Sequence, residues 1–337
     1  MVLLVFQKPL LLFFGADEAL LQLASRYLLS VQFAVPVFVF TQIVAAFLRN
    51  DSNPGLATRA VIAGGIFNVA GDYICIFTLD MGIMGAGLAT TIGAVISLGI
   101  MLLHFRSPAN TLRFHVFRQL LSYWRSIFAA GFSAFFMDVA MGILSVLFNR
   151  QIMRYLGTDA LAVYGVIINI STFVQCCAYG VGQASQTILS QNYGAHCFDR
   201  IKKLLRYNII TTSVISLVWV VLAMAFPNGF IRLFMAPTPS VLEAAPFMIR
   251  CYAFSFVLLP LNVYATYYFQ SVLQPATSFV ISVLRGCLLS GLLILVLPLL
   301  WEGPALWFAM PVTEVVTALV VVWAMKKSLG RMQHDFH

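Results

Sequence analysis

Charge is scarce in this sequence. Only 9% of its 337 residues are Asp, Glu, Lys or Arg, against 61% that are hydrophobic, whereas about a quarter of a soluble domain's residues are charged. A chain this poor in charge cannot clothe a globule of its size in water, and a mean hydropathy of +0.92 makes lipid its main solvent. Metal-ligand spacing is missing as well. The six cysteines (Cys75, Cys176, Cys177, Cys197, Cys251 and Cys287) are scattered, mostly inside apolar runs, with no CxxC or Cys/His pattern. That argues against a disulfide framework or a metal centre. The five histidines fall at the edges of the runs, in loops or in the tail. With no Ser/His/Asp set, HExxH motif or glycine-rich phosphate loop, an enzyme and an organic cofactor are not expected.

What is present is a series of apolar runs about 18 to 25 residues long, the length a helix needs to cross ~30 Å of hydrocarbon. Their residues do not alternate with the period of two that barrel strands require, so helices are the reading. Spans are expected at 1–14 (short, broken by Lys8 and Pro9), 28–48, 59–79, 84–104, 126–149, 159–180, 207–226, 248–270, 276–299 and 304–324. The fold class is an all-α, polytopic transmembrane helical bundle. The net charge of +8 does not point to nucleic acid, because the cations sit at span ends and in short loops rather than in a basic block. Arg106, Arg113, Arg118 and Arg125 crowd one loop, Arg200, Lys202, Lys203 and Arg206 another, and Lys326, Lys327 and Arg331 follow the last span. Placing these loops in the cytoplasm satisfies the positive-inside rule with strict alternation, which puts the carboxy-terminus in the cytoplasm of a cell with this protein in its inner membrane.

Sliding the chain against itself by 221 residues lays Ala24 on Ala245, Pro54 on Pro275 and Gly82 on Gly303, and the order of loops and spans repeats without a gap. A repeat over an even number of helices keeps one orientation, a transporter architecture. The expected organisation is a pair of pseudo-symmetric six-helix lobes. Residues 1–105 form an amino-terminal lobe, 106–125 a basic cytoplasmic linker, 126–325 a carboxy-terminal lobe and 326–337 a tail. Residues 122–221 have no counterpart upstream, so the first lobe is expected to be incomplete, lacking about the first 100 residues of a twelve-helix protein.

Several polar residues lie where water should be absent. Asp72 and Thr90 stand at equal distances on either side of the turn near residue 81. At 1.5 Å per residue two antiparallel helices bring them to one depth, about 13 Å from the turn. Asn68 is one turn from Asp72 on the same helix face. Asn68, Asp72 and Thr90 therefore make a candidate all-oxygen cluster for Na⁺ or proton exchange, with Na⁺ at Asp72 the sole metal ion considered. An aspartate at mid-membrane costs at least ~2.5–3.5 kcal/mol and usually works for it; the alternative is a hydrogen-bond staple to Thr90. Asp138 lies near the middle of its span, a candidate for substrate or proton binding. Arg285 and Glu314 reach mid-bilayer on adjacent spans and are read as a buried pair or as a proton or gating element. Met137, Met141, Tyr264 and Tyr268 are candidates to line a cavity for flat cations, through adaptable thioethers and ring faces, with ordinary packing as the alternative.

The stretches "FLRNDSNPGLATRAVIAGGIFNVAGDYICIF", "MGIMGAGLATT", "YGVGQASQTILSQNYGAHCFDRIKK", "FMAPTPSVLEAAPFMIRCY" and "GPALWFAMPVTEVV" resemble the multidrug and toxic compound extrusion (MATE) family of antiporters. Together they cover essentially the whole chain, against helices three to twelve of that family, and look closest to its bacterial DNA-damage-inducible and staphylococcal-type branch. The resemblance implies a secondary antiporter exporting amphipathic, cationic drugs or metabolites in exchange for Na⁺ or H⁺, by alternating access between two lobes. It also implies a cation site using the residues that match Asn68, Asp72 and Thr90, together with an acidic residue on a first helix that this sequence does not contain. Small-molecule substrates and the bilayer are the expected partners, without nucleic acid, and a monomer is expected. Two other readings stay open: a flippase of related fold for lipid-linked precursors, which would need a strongly cationic cavity, and a truncated remnant that does not transport.

Overall fold

The structure, a computed structural model, describes residues 8, 18–108, 110–113 and 120–335. The short run expected at 1–14 lies outside the described residues except for Lys8. Among the described residues every regular element is helical, and backbone contacts divide the chain into two compact units, Met1–Phe117 and Arg118–His337. Among the described residues, seven helices are long and apolar enough to cross a membrane, and an eighth span arises if the pair Ala24–Val31 and Ala34–Asn50, bent by 46°, is counted as one. Exposed positions on them carry Phe77, Leu217, Leu299 and Trp323, as side chains facing lipid should.

The first unit contains α1 (Glu18–Val31), α2 (Ala34–Asn50), α3 (Pro54–Tyr73) and α4 (Gly82–Leu102). Asn53 caps α3, its side chain accepting from the Leu56 amide, and Pro54 occupies the first helical turn, where a missing N–H costs nothing. A π-helical turn at Ile74–Thr78 ends α3, and α4 tightens into a 3₁₀ turn at Leu103–Arg106. Thr91 on α4 donates to the Ser30 carbonyl at 2.9 Å, tying α1 to α4.

The second unit runs through α5 (Leu120–Tyr155), α6 (Gly157–Gly194), α7 (Phe198–Ala225), the short α8 (Pro227–Phe234), α9 (Pro239–Ala253), α10 (Leu259–Ser271), α11 (Pro275–Val283), α12 (Leu289–Trp301) and α13 (Ala309–Asp335). A π-helical turn at Leu284–Leu288 joins α11 to α12. Helices α5 and α6, at 36 and 38 residues, are far longer than the ~20 a bilayer requires and overrun the spans expected at 126–149 and 159–180. Helix α13 likewise continues to Asp335, into the residues expected as a tail. The core is aromatic: Phe148 stacks on Tyr164 with ring centres 4.6 Å apart, and Trp307 and Tyr252 close round them. The repeat is written in the turns. Ser52 has a left-handed backbone (φ 59°) and so does Leu273 (φ 55°), 221 residues on. The next amide bonds back to Leu48 O at 2.9 Å in one turn and to Phe269 O at 2.8 Å in the other, and proline then opens the following helix.

A polar latch closes one end of the first unit. His104 Nε2 lies 2.6 Å from Asp51 Oδ2, and Asn53 Nδ2 lies 3.1 Å from His104 Nδ1. Since the Asn53 oxygen is engaged by the Leu56 amide, its NH₂ faces Nδ1. That assigns the histidine as an Nδ1 acceptor with its proton on Nε2, donated to Asp51. Thr111 also donates to Asp51 from its hydroxyl and, at 3.0 Å, from its amide. These hydrogen bonds, from His104 first and then Thr111, lower the Asp51 carboxyl to about 2. A carboxyl lowered in this way stabilises the folded state above its unfolded-chain value near ~3.9, and that contribution fades as pH falls through the folded value. Asp51→Asn is therefore expected to lower the thermal midpoint of the detergent-solubilised protein at neutral pH, with the gap to the parent closing between pH ~4 and about 2. A gap independent of pH over that window would contradict this reading of the latch.

Candidate functional site

Helices α3 and α4 approach until their backbones touch. A Cβ added at Gly64 would stand 2.4 Å from the Gly93 carbonyl oxygen and 1.9 Å from Ser97 Oγ, and one at Gly93 would stand 2.7 Å from the Gly64 oxygen. Ser97 seals the contact by donating to the Ala60 carbonyl at 3.1 Å. Small residues at such a crossing are how membrane helices gain contact without a hydrophobic driving force between them. One turn beyond Gly64 the same contact delivers Asn68 to Thr90, Nδ2 donating to Oγ1 at 3.1 Å. The Thr90 hydroxyl proton goes to the Ala86 carbonyl at 2.9 Å, so its lone pair is what receives Asn68, and the Asn68 carbonyl oxygen is left as an acceptor.

Two of the three residues expected to converge are thus joined. The third is placed differently: Asp72 is half-buried one turn from Asn68, and its Oδ1 is buried without a hydrogen-bond partner. Beside Asn68 and Thr90 a cavity of about 270 Å³ opens within the first unit, with Thr41, Gln42 and Arg49 of α2 and Ser97 of α4 as its other polar lining. Sequence reasoning missed the α2 contribution. Its signal was available, since Thr41 and Gln42 are adjacent polar residues inside an otherwise apolar span, but nothing in the sequence said which way that face turns.

In the second unit, Arg285 and Glu314 do meet. Arg285 Nε donates to Glu314 Oε1 at 2.8 Å with both side chains buried. Asn262, which sequence reasoning did not single out, donates its amide to Glu314 Oε2 at 2.7 Å and to the Glu314 carbonyl at 2.9 Å. The π-helical turn exposes the Arg285 carbonyl to the Ser290 hydroxyl at 2.7 Å, so the distortion that aims Arg285 is itself hydrogen-bonded. Asp138 is exposed on α5, apart from that pair's bonds. Met141 is half-buried and lines a small pocket with Arg285, while the side chain of Met137 lies outside the described residues. Tyr264 and Tyr268 are wholly buried in a core cluster with Phe269 and Ile281, Tyr264 receiving a bond from Asn208 at 3.0 Å. They pack as core rather than as an exposed aromatic wall. No group of three or more His, Cys, Asp or Glu side chains that could hold a metal ion exists among the described residues.

Comparison with known proteins gives a consistent answer. The sequence profile of the family described as MatE matches residues 1–74 and 132–296, more than half of the chain. The multidrug export protein MepA of Staphylococcus saprophyticus subsp. saprophyticus is 24% identical over 310 residues, covering 91% of this chain and 68% of the relative. MepA of Staphylococcus aureus strain N315 is 22% identical over 336 residues, covering 98% and 73%. Among solved structures, a MATE protein in complex with MaL6 superposes with a TM-score of 0.89 at 20% identity, over 99% of this chain and 76% of that one, a likeness of fold.

The α3–α4 contact makes a direct demand on sequence. Gly93→Leu should destabilise the purified protein by about 1–3 kcal/mol through overpacking, read as a lower thermal midpoint. Gly99→Ala, on the same helix but facing open space, should leave the midpoint unchanged or slightly raised. Equal behaviour of the two variants would refute the close contact.

Proposed function

The chain belongs to the MatE family of membrane transporters, and on that premise we propose that it is a secondary antiporter exporting amphipathic, cationic drugs or metabolites in exchange for Na⁺ or H⁺. The export of drugs is supported by the relatives, which are named multidrug export proteins. The coupling is assigned to Asp72, Asn68 and Thr90. The observation that carries it is the Asp72 Oδ1 atom, buried with no partner, one helical turn from an Asn68–Thr90 pair that offers further oxygens. A buried carboxylate oxygen left without a hydrogen-bond partner is under strain. It is relieved by a proton on the carboxylate itself, or by a Na⁺ held by the carboxylate, the Asn68 carbonyl and the Thr90 hydroxyl oxygen.

Coupling then follows from linkage. An ion shifts a conformational equilibrium only by as much as it binds one state better than the other. Occupied, the site carries no net charge and the state that buries it is favoured; empty, the charge favours a state that hydrates it. Alternation between the two exposes the substrate path to each side of the membrane in turn. Asp138, exposed on α5, is assigned to attract the cationic substrate. The Arg285–Glu314 pair, with Asn262 bonded to the same carboxylate, acts as an internal ionic clasp of the second unit. The distribution of Lys and Arg supports the inner membrane of a bacterium, with the carboxy-terminal end of α13 in the cytoplasm.

The test uses protein reconstituted in liposomes with a fluorescent cationic dye and an imposed Na⁺ or pH gradient. One of the two gradients should drive dye movement in the parent. Asp72→Asn should return it to the rate seen without a gradient, at an equal amount of inserted protein. Gradient-driven transport undiminished in Asp72→Asn would remove Asp72 from the coupling role.

A further inference from the structure

Arg285 is 3% exposed, yet only part of its guanidinium is used. Nε bonds to Glu314, while Nη2 is buried with no partner. A planar guanidinium carries five donors, and an unmatched one in a protein interior is costly. The same side chain borders a pocket of about 30 Å³ enclosed by α5, α6, α9 and their neighbours, whose other polar lining is Ser145, Tyr164, Ser171, Gln175 and Tyr252. No carboxylate lines it.

The hydrogen-bond directions turn this lining into a set of donors. Tyr179, outside the pocket, donates to Gln175 Oε1 at 3.4 Å, which takes up the amide oxygen. The Gln175 NH₂ donates to Ser171 Oγ at 3.4 Å, which leaves the Ser171 proton to point elsewhere. Tyr252 shares a hydrogen bond with Ser171 and lies in the field of both Arg285 and Glu314. The space exceeds the ~10–15 Å³ that one water needs and is far too small for a drug. Its remaining wall, including Met141, Leu144 and Leu259, offers nothing to a polyatomic ligand.

We propose that this pocket is a binding site for a single small inorganic anion of halide size, held by the unused Nη2 of Arg285, by the one hydroxyl proton that the Ser171–Tyr252 hydrogen bond leaves over and by the second amide proton of Gln175. A water molecule would satisfy Nη2 but would bring two protons into a pocket whose remaining groups donate; a monatomic anion accepts from each proton left over. Glu314 shares the same guanidinium from its other side, so the carboxylate and the anion compete for one positive charge. The site is therefore weak while Glu314 is charged and strengthens when that charge is removed. This assignment is independent of the coupling role given to Asp72, which lies in the other unit.

The experiment follows thermal unfolding of the purified protein while sodium gluconate is replaced by sodium bromide or chloride at constant Na⁺ and ionic strength. The parent should show a saturable upward shift of the midpoint with halide. Ser171→Ala, which removes one donor without disturbing the ion pair, should need several-fold more halide than the parent for the same shift, each shift being taken from the variant's own midpoint in gluconate. Glu314→Gln should be less stable in gluconate but should be rescued by halide at several-fold lower concentration than the parent requires. A merely structural ion pair predicts loss of stability in that variant with no such rescue. No difference between halide and gluconate in the parent would mean that the pocket holds water alone and would overturn the proposal. An identical halide response in all three proteins would mean a general salt effect, with the same consequence.

Discussion

Lipid cannot hydrogen-bond, and this one property of the solvent governs the molecule. Every backbone amide in the spanning region must be satisfied by the chain itself, which leaves helices as the available element. Every polar side chain there must likewise find a partner in the protein or be kept for a purpose. The helix ends show the rule at work. Asn53 caps α3 and Thr238 caps α9, each followed by a proline that needs no acceptor. The latch of Asp51, His104 and Thr111 gathers side-chain and backbone donors where a helix terminus meets the following segment.

The two units answer the same constraint in different ways. In the first, glycine removes the side chains between α3 and α4, so that backbones touch and two polar residues, Asn68 and Thr90, are brought to bonding distance beside a cavity. The cost is a carboxylate oxygen on Asp72 that no neighbour satisfies. In the second, bulky aromatics fill the interior, and two opposite charges neutralise each other at its centre with Asn262 bonded to the carboxylate. A buried pair of this kind is weak evidence for stability, because desolvation offsets most of its attraction. Its value lies in fixing where α10, the π-helical turn and α13 meet, and in leaving one guanidinium nitrogen for another ligand.

Much of the fold was legible because it rests on local rules. Run length and composition placed the spans, and the internal repeat laid Pro54 on Pro275, the two prolines that open α3 and α11. Equal distance from a turn put Asp72 and Thr90 at one level, and the structure joins Thr90 instead to Asn68, one helical turn away; ten residues into adjacent spans was enough to pair Arg285 with Glu314. What the local rules could not supply was rotation about a helix axis. Asp72 lies one turn along α3 from Asn68 and is not drawn into the Asn68–Thr90 bond. Tyr264 and Tyr268, named for their ring faces as candidates for a cavity wall with ordinary packing as the alternative, lie in packed core. Asn262 and the α2 residues Thr41 and Gln42 have no motif, and only their neighbours make them part of a site.

The sequence by itself determined the solvent, the helical class and the order of spans, since these follow from composition, run length and short-range pattern, while the family came from the resemblance of particular stretches. The tertiary structure decided which faces meet. A helix presents a different side chain every 100° or so of rotation, and in a chain where 61% of residues are hydrophobic almost any face can be buried at similar gain. The choice among faces is made by a few non-local contacts: the glycine crossing of α3 with α4, and the single ion pair between the π-helical turn and α13. From those contacts come the joined Asn68 and Thr90, the unmatched oxygen of Asp72 and the donor-lined pocket at Arg285.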